Sequence, residues 1–192
     1  MKKLLITGFD PFGGQSINPA WQAVQKLPDQ VGEYVLCKLG IPTVFDVAAE
    51  TVLETAAKSQ PDVILCIGLA GGRDAVTPER IAVNIRDARI PDNAGNQPAG
   101  EFVVADGPAA YFATVPVARM AQAIRDAGIP GTVSNSAGAF VCNDTLYALL
   151  HHYTGTVTRV GFIHVPNLPE QGSPSMSLDD IVTALIAAIQ AL

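Results

Sequence analysis

Apolar and polar positions follow two rhythms along this chain. Short apolar runs of strand length alternate with stretches whose apolar residues recur every three or four positions. Residues 3–7 are the first run and predict a strand, which ends in the glycine-rich turn Gly-Phe-Asp-Pro-Phe-Gly-Gly at 8–14. Asn18-Pro19 reads as an N-cap with proline at the first helical position, opening a helix to about residue 26. Residues 34–39 predict a second strand. Residues 46–59 predict a helix with Ala49, Val52, Leu53 and Ala56 on one face, stopped by Pro61.

The run at 62–69 is continuously apolar, as a strand covered by helices on both faces should be. It leads into Gly-Leu-Ala-Gly-Gly-Arg at 68–73. Residues 79–85 alternate and predict a strand, and 92–100 predict a polar loop. A short helical turn is expected at 109–112, a helix at 116–127 and a strand at 132–135. Residues 141–152 predict a helix, and 159–165 a strand with His164 near its end. The last helix carries an apolar stripe of Leu178, Ile181, Val182, Leu185, Ile186, Ile189 and Leu192. Ser177 caps it, with Asp179 and Asp180 in its first turn.

Alternating strands and helices argue for an α/β fold: one domain over residues 1–192, with a largely parallel sheet between helices. Ligand sites in such sheets lie beyond the carboxyl ends of the strands. The loops 8–14, 68–73 and 136–142 all leave strands at that edge, and His164 ends one there. No repeat and no linker divides the chain.

Composition narrows the classes. Of 192 residues, 48% are hydrophobic, yet no apolar run approaches the ~20 residues of a membrane span. The basic start, Met-Lys-Lys, precedes only a strand-length apolar stretch, which argues against a signal peptide. A net charge of −6 without a basic stripe argues against nucleic acid as a partner. Cys37, Cys66 and Cys142 are odd in number and far apart, so a disulfide framework or zinc site is not expected, and a reducing cytoplasm fits.

Cys142 is the cysteine placed for chemistry. It falls in the first turn of the predicted helix 141–152, where the helix dipole and free backbone N–H groups favour thiolate over thiol. Cys37 and Cys66 fall inside predicted strands and read as inert core residues. A cysteine nucleophile needs a base and a group that orients it. His151 and His152 lie further along the cysteine's own helix and point away from it. His164 ends the next strand at the same sheet edge and is the good partner, the alternative being a satisfied core histidine beside Pro166. The orienting acid stays open among Glu79, Asp74, Asp87 and Asp92. Arg73, Arg80, Arg86 and Arg89 cluster in the same stretch, and one of them could support an oxyanion or pair with the acid. The glycine turns match neither phosphate-binding nor dinucleotide-binding motifs. No Gly-x-Ser-x-Gly elbow and no His-Glu-x-x-His motif is present.

Four stretches, in order, together resemble one family, the type I pyroglutamyl peptidases. They are Thr-Gly-Phe-Asp-Pro-Phe-Gly-Gly with Asn18-Pro19; Gly-Leu-Ala-Gly-Gly-Arg with Pro-Glu-Arg-Ile-Ala-Val-Asn; Ser-Ala-Gly-Ala-Phe-Val-Cys-Asn; and Gly-Phe-Ile-His-Val-Pro-Asn-Leu-Pro-Glu-Gln. The loop from Asp87 to Pro98 is also similar to the family's. The resemblance implies a Cys-His-Glu triad of Cys142, His164 and Glu79, which chooses the acid that spacing left open. It implies a cysteine peptidase that removes N-terminal pyroglutamate from peptides through a thioester, without metal or cofactor. It also implies a single-domain three-layer α/β/α sandwich with a mostly parallel, mixed sheet, assembled into homotetramers. Phe9 and Phe12 resemble the family's ring-clamping pair, with Ile90, Phe140 and Val141 as further walls and Asn18 as a brace. In the mechanism this suggests, the Cys142 N–H with Arg89 supports the oxyanion. For Phe9 and Phe12 the alternative is plain core packing. Leu69 stands where a glutamine is common, Asn167 where an aromatic is common, and the stretch after Gln171 is short for the family. A cysteine amidase with another substrate and a non-catalytic binding module are the competing readings.

Overall fold

Successive residues of the central strands face two separate apolar layers. A computed structural model describes residues 1–192. Strands β1 (Lys2–Phe9), β2 (Gln30–Val31), β3 (Tyr34–Ile41), β4 (Val63–Leu69) and β5 (Thr77–Pro78) alternate with helices α1 (Pro19–Lys26) and α2 (Val47–Ser59). Short strands β6 (Ile81–Val83), β7 (Arg86–Asp87), β8 (Ala99–Glu101) and β9 (Ala110–Phe112) follow. Helices α3 (Val117–Asp126) and α4 (Val141–His152), strand β10 (Arg159–Val165) and helix α5 (Leu178–Gln190) complete the chain.

The main sheet runs β2-β3-β1-β4-β10-β5. β1, β3, β4 and β10 are parallel, while β2 and β5 are antiparallel edges. Leu4, Ile6, Val63, Leu65 and Ile67 point to the face covered by α1, α3 and α5. Leu5, Ile64, Cys66, Val160 and Phe162 point to the other, covered by α2 and α4. The fold is therefore the expected three-layer α/β/α sandwich with a mixed, mostly parallel sheet. On α5 the buried stripe includes Ile181, Leu185 and Ile189, and each such side chain stabilises by roughly 1.5–3 kcal/mol. Ser177 caps α5 by accepting from the Asp180 N–H at 3.1 Å. Asn18 caps α1 by accepting from the Ala20 N–H at 3.0 Å. α1 can sit close to β1 because residue 8 is glycine: a Cβ there would come within 2.6 Å of the Trp21 backbone.

Three expected elements differ. Residues 109–112 are not a helical turn; Ala110–Phe112 pairs antiparallel with β6, joining Ile81 to Phe112 and Val83 to Ala110. Three residues cannot pay for helix nucleation, and a partner strand satisfies their backbone. The expected strand at 132–135 is reduced to isolated bridges, Val76 with Gly131 and Glu79 with Ser134. Thr132 and Ser134 each donate to this neighbouring chain, at Val76 and Pro78, and Arg80 donates back to Ser134. Pro78 has no N–H to complete the rung at Thr132, so the ladder breaks there. The expected strand at 79–85 is likewise split, because Thr77 and Pro78 pair with β10 whereas Ile81–Val83 pairs with β9. Cys66 is fully buried as expected, but Cys37 is exposed, on the face of β3 that points away from the first apolar layer.

Candidate active site

The expected loops converge at the carboxyl edge of the sheet. They enclose a cavity of about 630 Å³. Phe12, Gly13 and Gln15 come from the first loop, residues 69–71 and Arg73 from the second, and residues 137–140 with Cys142 from the third. His164 and Asn167 enter from the end of β10, Asp87 from β7, and Arg89 and Ile90 from the segment after it.

Register brings Cys142 and His164, the expected nucleophile and base, to neighbouring strands. Gly68 on β4 is the partner of His164 on β10. A Cβ at Gly68 would lie 3.0 Å from the Cys142 sulfur and 2.7 Å from the Phe162 ring. The sulfur thus rests on a backbone that only glycine keeps clear, one strand from His164. Asn143 fixes the start of α4: its amide oxygen accepts from the Val83 N–H at 2.9 Å, and its nitrogen donates to Val83 and Ile85 at 2.9 and 3.1 Å. The N-cap residue, Phe140, offers no side-chain hydrogen bond. The first amide groups of α4 are therefore left for a ligand.

Glu79 reaches His164 across the antiparallel edge. Thr77 is the register partner of His164, and Glu79 lies two residues beyond it on the same strand face. The His164 Nδ1 and Glu79 Oε1 are 2.7 Å apart. An ionised carboxylate only accepts, so Nδ1 carries the proton and Nε2 is left with its lone pair. Arg73 Nη1 donates to the same Oε1 at 2.6 Å. Glu79 is wholly buried, and its Oε2 has no hydrogen-bond partner. The neighbouring Ser134 hydroxyl donates instead to the Ser136 carbonyl at 3.1 Å.

Charge in this site is balanced between burial and partners. Burial acts to raise the Glu79 carboxyl, but the His164 hydrogen bond and charge, with Arg73, outweigh it and hold it below its ordinary value. Burial pushes the His164 imidazole down; Glu79 opposes this and Arg73 adds to it. Burial also pushes the Cys142 thiol up, the Glu79 charge adding to the effect, while Arg73 and the Cys142 N–H act the other way. Cys66, with no opening to the cavity, is pushed up to about 12. Cys142 is open to the cavity on one side, yet burial pushes its thiol up to about 12 as well. Burial and Glu79 thus work against the expected thiolate, while Arg73 and the Cys142 N–H at the helix terminus work for it. No hydrogen bond joins the thiol and the imidazole before a substrate enters.

Other site residues divide clearly. Phe12, Arg89, Ile90 and Phe140 line the cavity. Phe140 is held by Phe12 at 6.0 Å and edge-on by Phe45 at 5.3 Å. Phe9 and Val141 are buried outside the lining; Phe9 packs on Phe162 at 6.1 Å, the core role that was its alternative. Asn18 is also outside, but its amide donates to the Asp10 carbonyl at 2.9 Å and braces the first loop from behind. Of the competing acids, Asp92 is turned inward to organise its own loop, Asp74 lines a neighbouring surface cavity, and Asp87 lines the main one without meeting His164. His151 binds the Tyr111 hydroxyl at 2.8 Å, far along α4 from the cysteine. Asn167 packs its amide over Gly71, and Leu69 lines the cavity. No group of three His, Cys, Asp or Glu side chains could hold a metal ion. Asn143 and Gln15 were not anticipated; an asparagine beside a nucleophile carries no pattern that marks it as a splint.

Known proteins share this sequence and fold. A family model described as Pyroglutamyl peptidase matches residues 2–192. The chain belongs to the pyroglutamyl peptidase family. It is 52% identical to the pyrrolidone-carboxylate peptidase of Levilactobacillus brevis, covering 99% of this chain and 97% of the relative. It is 48% identical to the enzyme of the same name from Bacillus subtilis, over 99% and 92% of the two chains. The crystal structure of pyroglutamyl peptidase I from Bacillus amyloliquefaciens superposes with a TM-score of 0.95 at 47% identity, covering 99% and 94%. Pyrrolidone carboxyl peptidase from Thermococcus litoralis superposes with a TM-score of 0.94 at 38% identity, covering 100% and 93%. Family membership makes sense of a cavity whose walls are aromatic and aliphatic beside the cysteine.

Proposed function

We propose that this protein is a cysteine peptidase, a single catalytic domain over residues 1–192, that removes N-terminal pyroglutamate from peptides. The observation that carries the reading is the 2.7 Å contact of Glu79 with His164, whose free nitrogen shares one cavity with Cys142. A pyroglutamyl ring is a neutral lactam with no α-amine to grip. It suits apolar walls, here Phe12, Ile90 and Phe140, with few polar partners. Phe9, Val141 and Asn18 support the walls from behind.

The chemistry proposed starts from a neutral thiol and imidazole, the state that burial favours. The Cys142 sulfur attacks the carbonyl carbon that joins pyroglutamate to the next residue, and the thiol proton passes to His164 Nε2. The amide N–H of Cys142 and Arg89 stabilise the oxyanion. The carbon–nitrogen bond breaks as His164 gives that proton to the leaving amine, which leaves a pyroglutamyl thioester. Water then attacks with His164 as base, and Cys142 departs and regains its proton. Glu79 keeps the imidazole oriented and stabilises its protonated form throughout. Homotetramer assembly and a cytoplasmic location belong to the same reading; exposed Phe112 on β9 and Phe102 just after β8 offer apolar surface for assembly.

A fluorogenic pyroglutamyl amide tests the assignment. The wild-type protein should release the fluorophore and spare the matching prolyl amide. Cys142→Ser should fold normally and lose turnover by at least ~10³-fold. Near-normal cleavage by that variant would falsify the nucleophile.

A further inference from the structure

Arg73 lies outside the proposed triad, yet its hydrogen bonds converge on it. Its Nη1 meets Glu79 Oε1 at 2.6 Å and the Thr77 hydroxyl at 2.5 Å, and its Nη2 meets the Ser136 carbonyl at 2.9 Å. Thr77 is the residue that pairs with His164. Glu79 Oε1 therefore accepts from both Arg73 and His164, while Oε2 accepts from nothing. While the imidazole is neutral, Arg73 is the only full positive charge in contact with this buried carboxylate. An unpaired buried ion is costly, so a standing countercharge is needed whenever the histidine is uncharged.

We propose that Arg73 is a positioning residue for the reaction: it turns one Glu79 oxygen toward His164, holds that carboxylate ionised, and sets how readily His164 passes its proton to the leaving amine. The inference rests on the Cys142–His164–Glu79 reading above. A guanidinium beside the imidazole opposes its protonation, and beside the sulfur it favours loss of the proton. The other groups around this centre are Cys142 on α4 and Cys66 on β4, with Asp87 and Arg89 across the cavity and Asp74 behind Arg73. Of these cations, only Arg73 touches Glu79.

Arg73 can also be reached from outside. It lines the reaction cavity and a second, open cavity of about 490 Å³ with Thr77, Ser134 and Ser136. A small cation from solvent can therefore enter the space that a truncated side chain leaves.

The test is the pH dependence of kcat/KM for Arg73→Ala and Arg73→Lys on a pyroglutamyl amide, beside wild type and Cys142→Ser. Arg73→Ala should lower kcat/KM by about tenfold to a hundredfold, mainly in kcat, the range that supporting partners of reactive groups carry. Both limbs of its profile should move to higher pH, by on the order of one pH unit. Dilute guanidinium should restore part of the rate where equal sodium chloride does not. Arg73→Lys keeps the charge, so its limbs should stay near wild type while kcat falls; it also serves if the alanine variant does not fold. Limbs that coincide with wild type in Arg73→Ala, or that move in Arg73→Lys as they do in alanine, would overturn the role. Full activity in Cys142→Ser would overturn the triad and this inference together, whereas unmoved limbs with normal dependence on Cys142 would overturn the Arg73 role alone.

Discussion

Glu79 and Arg73 push His164 in opposite directions. The carboxylate favours the imidazolium and the guanidinium disfavours it, while burial favours the neutral ring. His164 acts as a base only when neutral, so a lowered imidazole keeps the acid limb of kcat/KM below the ordinary histidine value. Glu79→Gln removes the favourable charge. Its acid limb should move to still lower pH, and kcat should fall by about a hundredfold or more as the ring loses its orientation. A profile and rate unchanged from wild type would remove Glu79 from the triad. Cys142 and His164 were legible as a pair because one opens a helix and the other ends the neighbouring strand. Glu79 was legible only through family resemblance, since Asp74, Asp87 and Asp92 share its stretch and no spacing rule separates them. Arg73 stood unresolved among its neighbouring arginines, because which guanidinium meets the acid depends on a two-residue edge strand that sequence does not locate.

At the scale of elements, the loop after β7 shows how a wall is held. Asp92 accepts from the Phe45, Ala94 and Asn96 N–H groups at 3.0, 2.9 and 2.8 Å and from the Asn96 side chain at 3.0 Å. Phe45 in turn braces Phe140. Burial acts to raise the Asp92 carboxyl, but these donors, the Asn96 amide foremost, hold it below the ordinary value. A depressed carboxylate contributes stability above its unfolded pKa, and that contribution is lost as pH falls through the folded one. Asp92→Ala should therefore melt below wild type at neutral pH and raise KM. The gap in melting temperature should close as pH drops below about 4. A gap that stays constant with pH would show that the loop does not depend on the charge. The long elements were readable from their patterns: α4 and β10 have the bounds expected for them. The short strands were not, because β6 and β9 exist only as a mutual pair, and Pro78 decides where a ladder stops.

At the scale of the molecule, Arg86 ties β7 to the one helical layer that α2 and α4 form. Its Nε meets Asp144 Oδ1 on α4 at 2.6 Å, and its Nη1 meets Asp46 Oδ2 at the start of α2 at 3.1 Å. Asp144 is fully buried and also accepts from the Asp46 N–H at 3.2 Å. Arg86→Ala should lower unfolding free energy by about 3–5 kcal/mol, since it strands a buried carboxylate. Urea titration measures this, and a loss under ~1 kcal/mol would place the tie at the surface in energetic effect. Layer order was legible from the alternation of runs. Strand order was not, because nothing local says that β10 returns beside β4.

The raised thiol of Cys142 also bears on oxidative damage. Peroxides attack the thiolate and drive it up the sulfenic, sulfinic and sulfonic ladder, the last rungs of which are irreversible. Burial above Gly68 raises the Cys142 thiol, and a raised thiol presents less thiolate to such oxidants. Shelter of the resting nucleophile is thus built into the same burial that its chemistry must overcome.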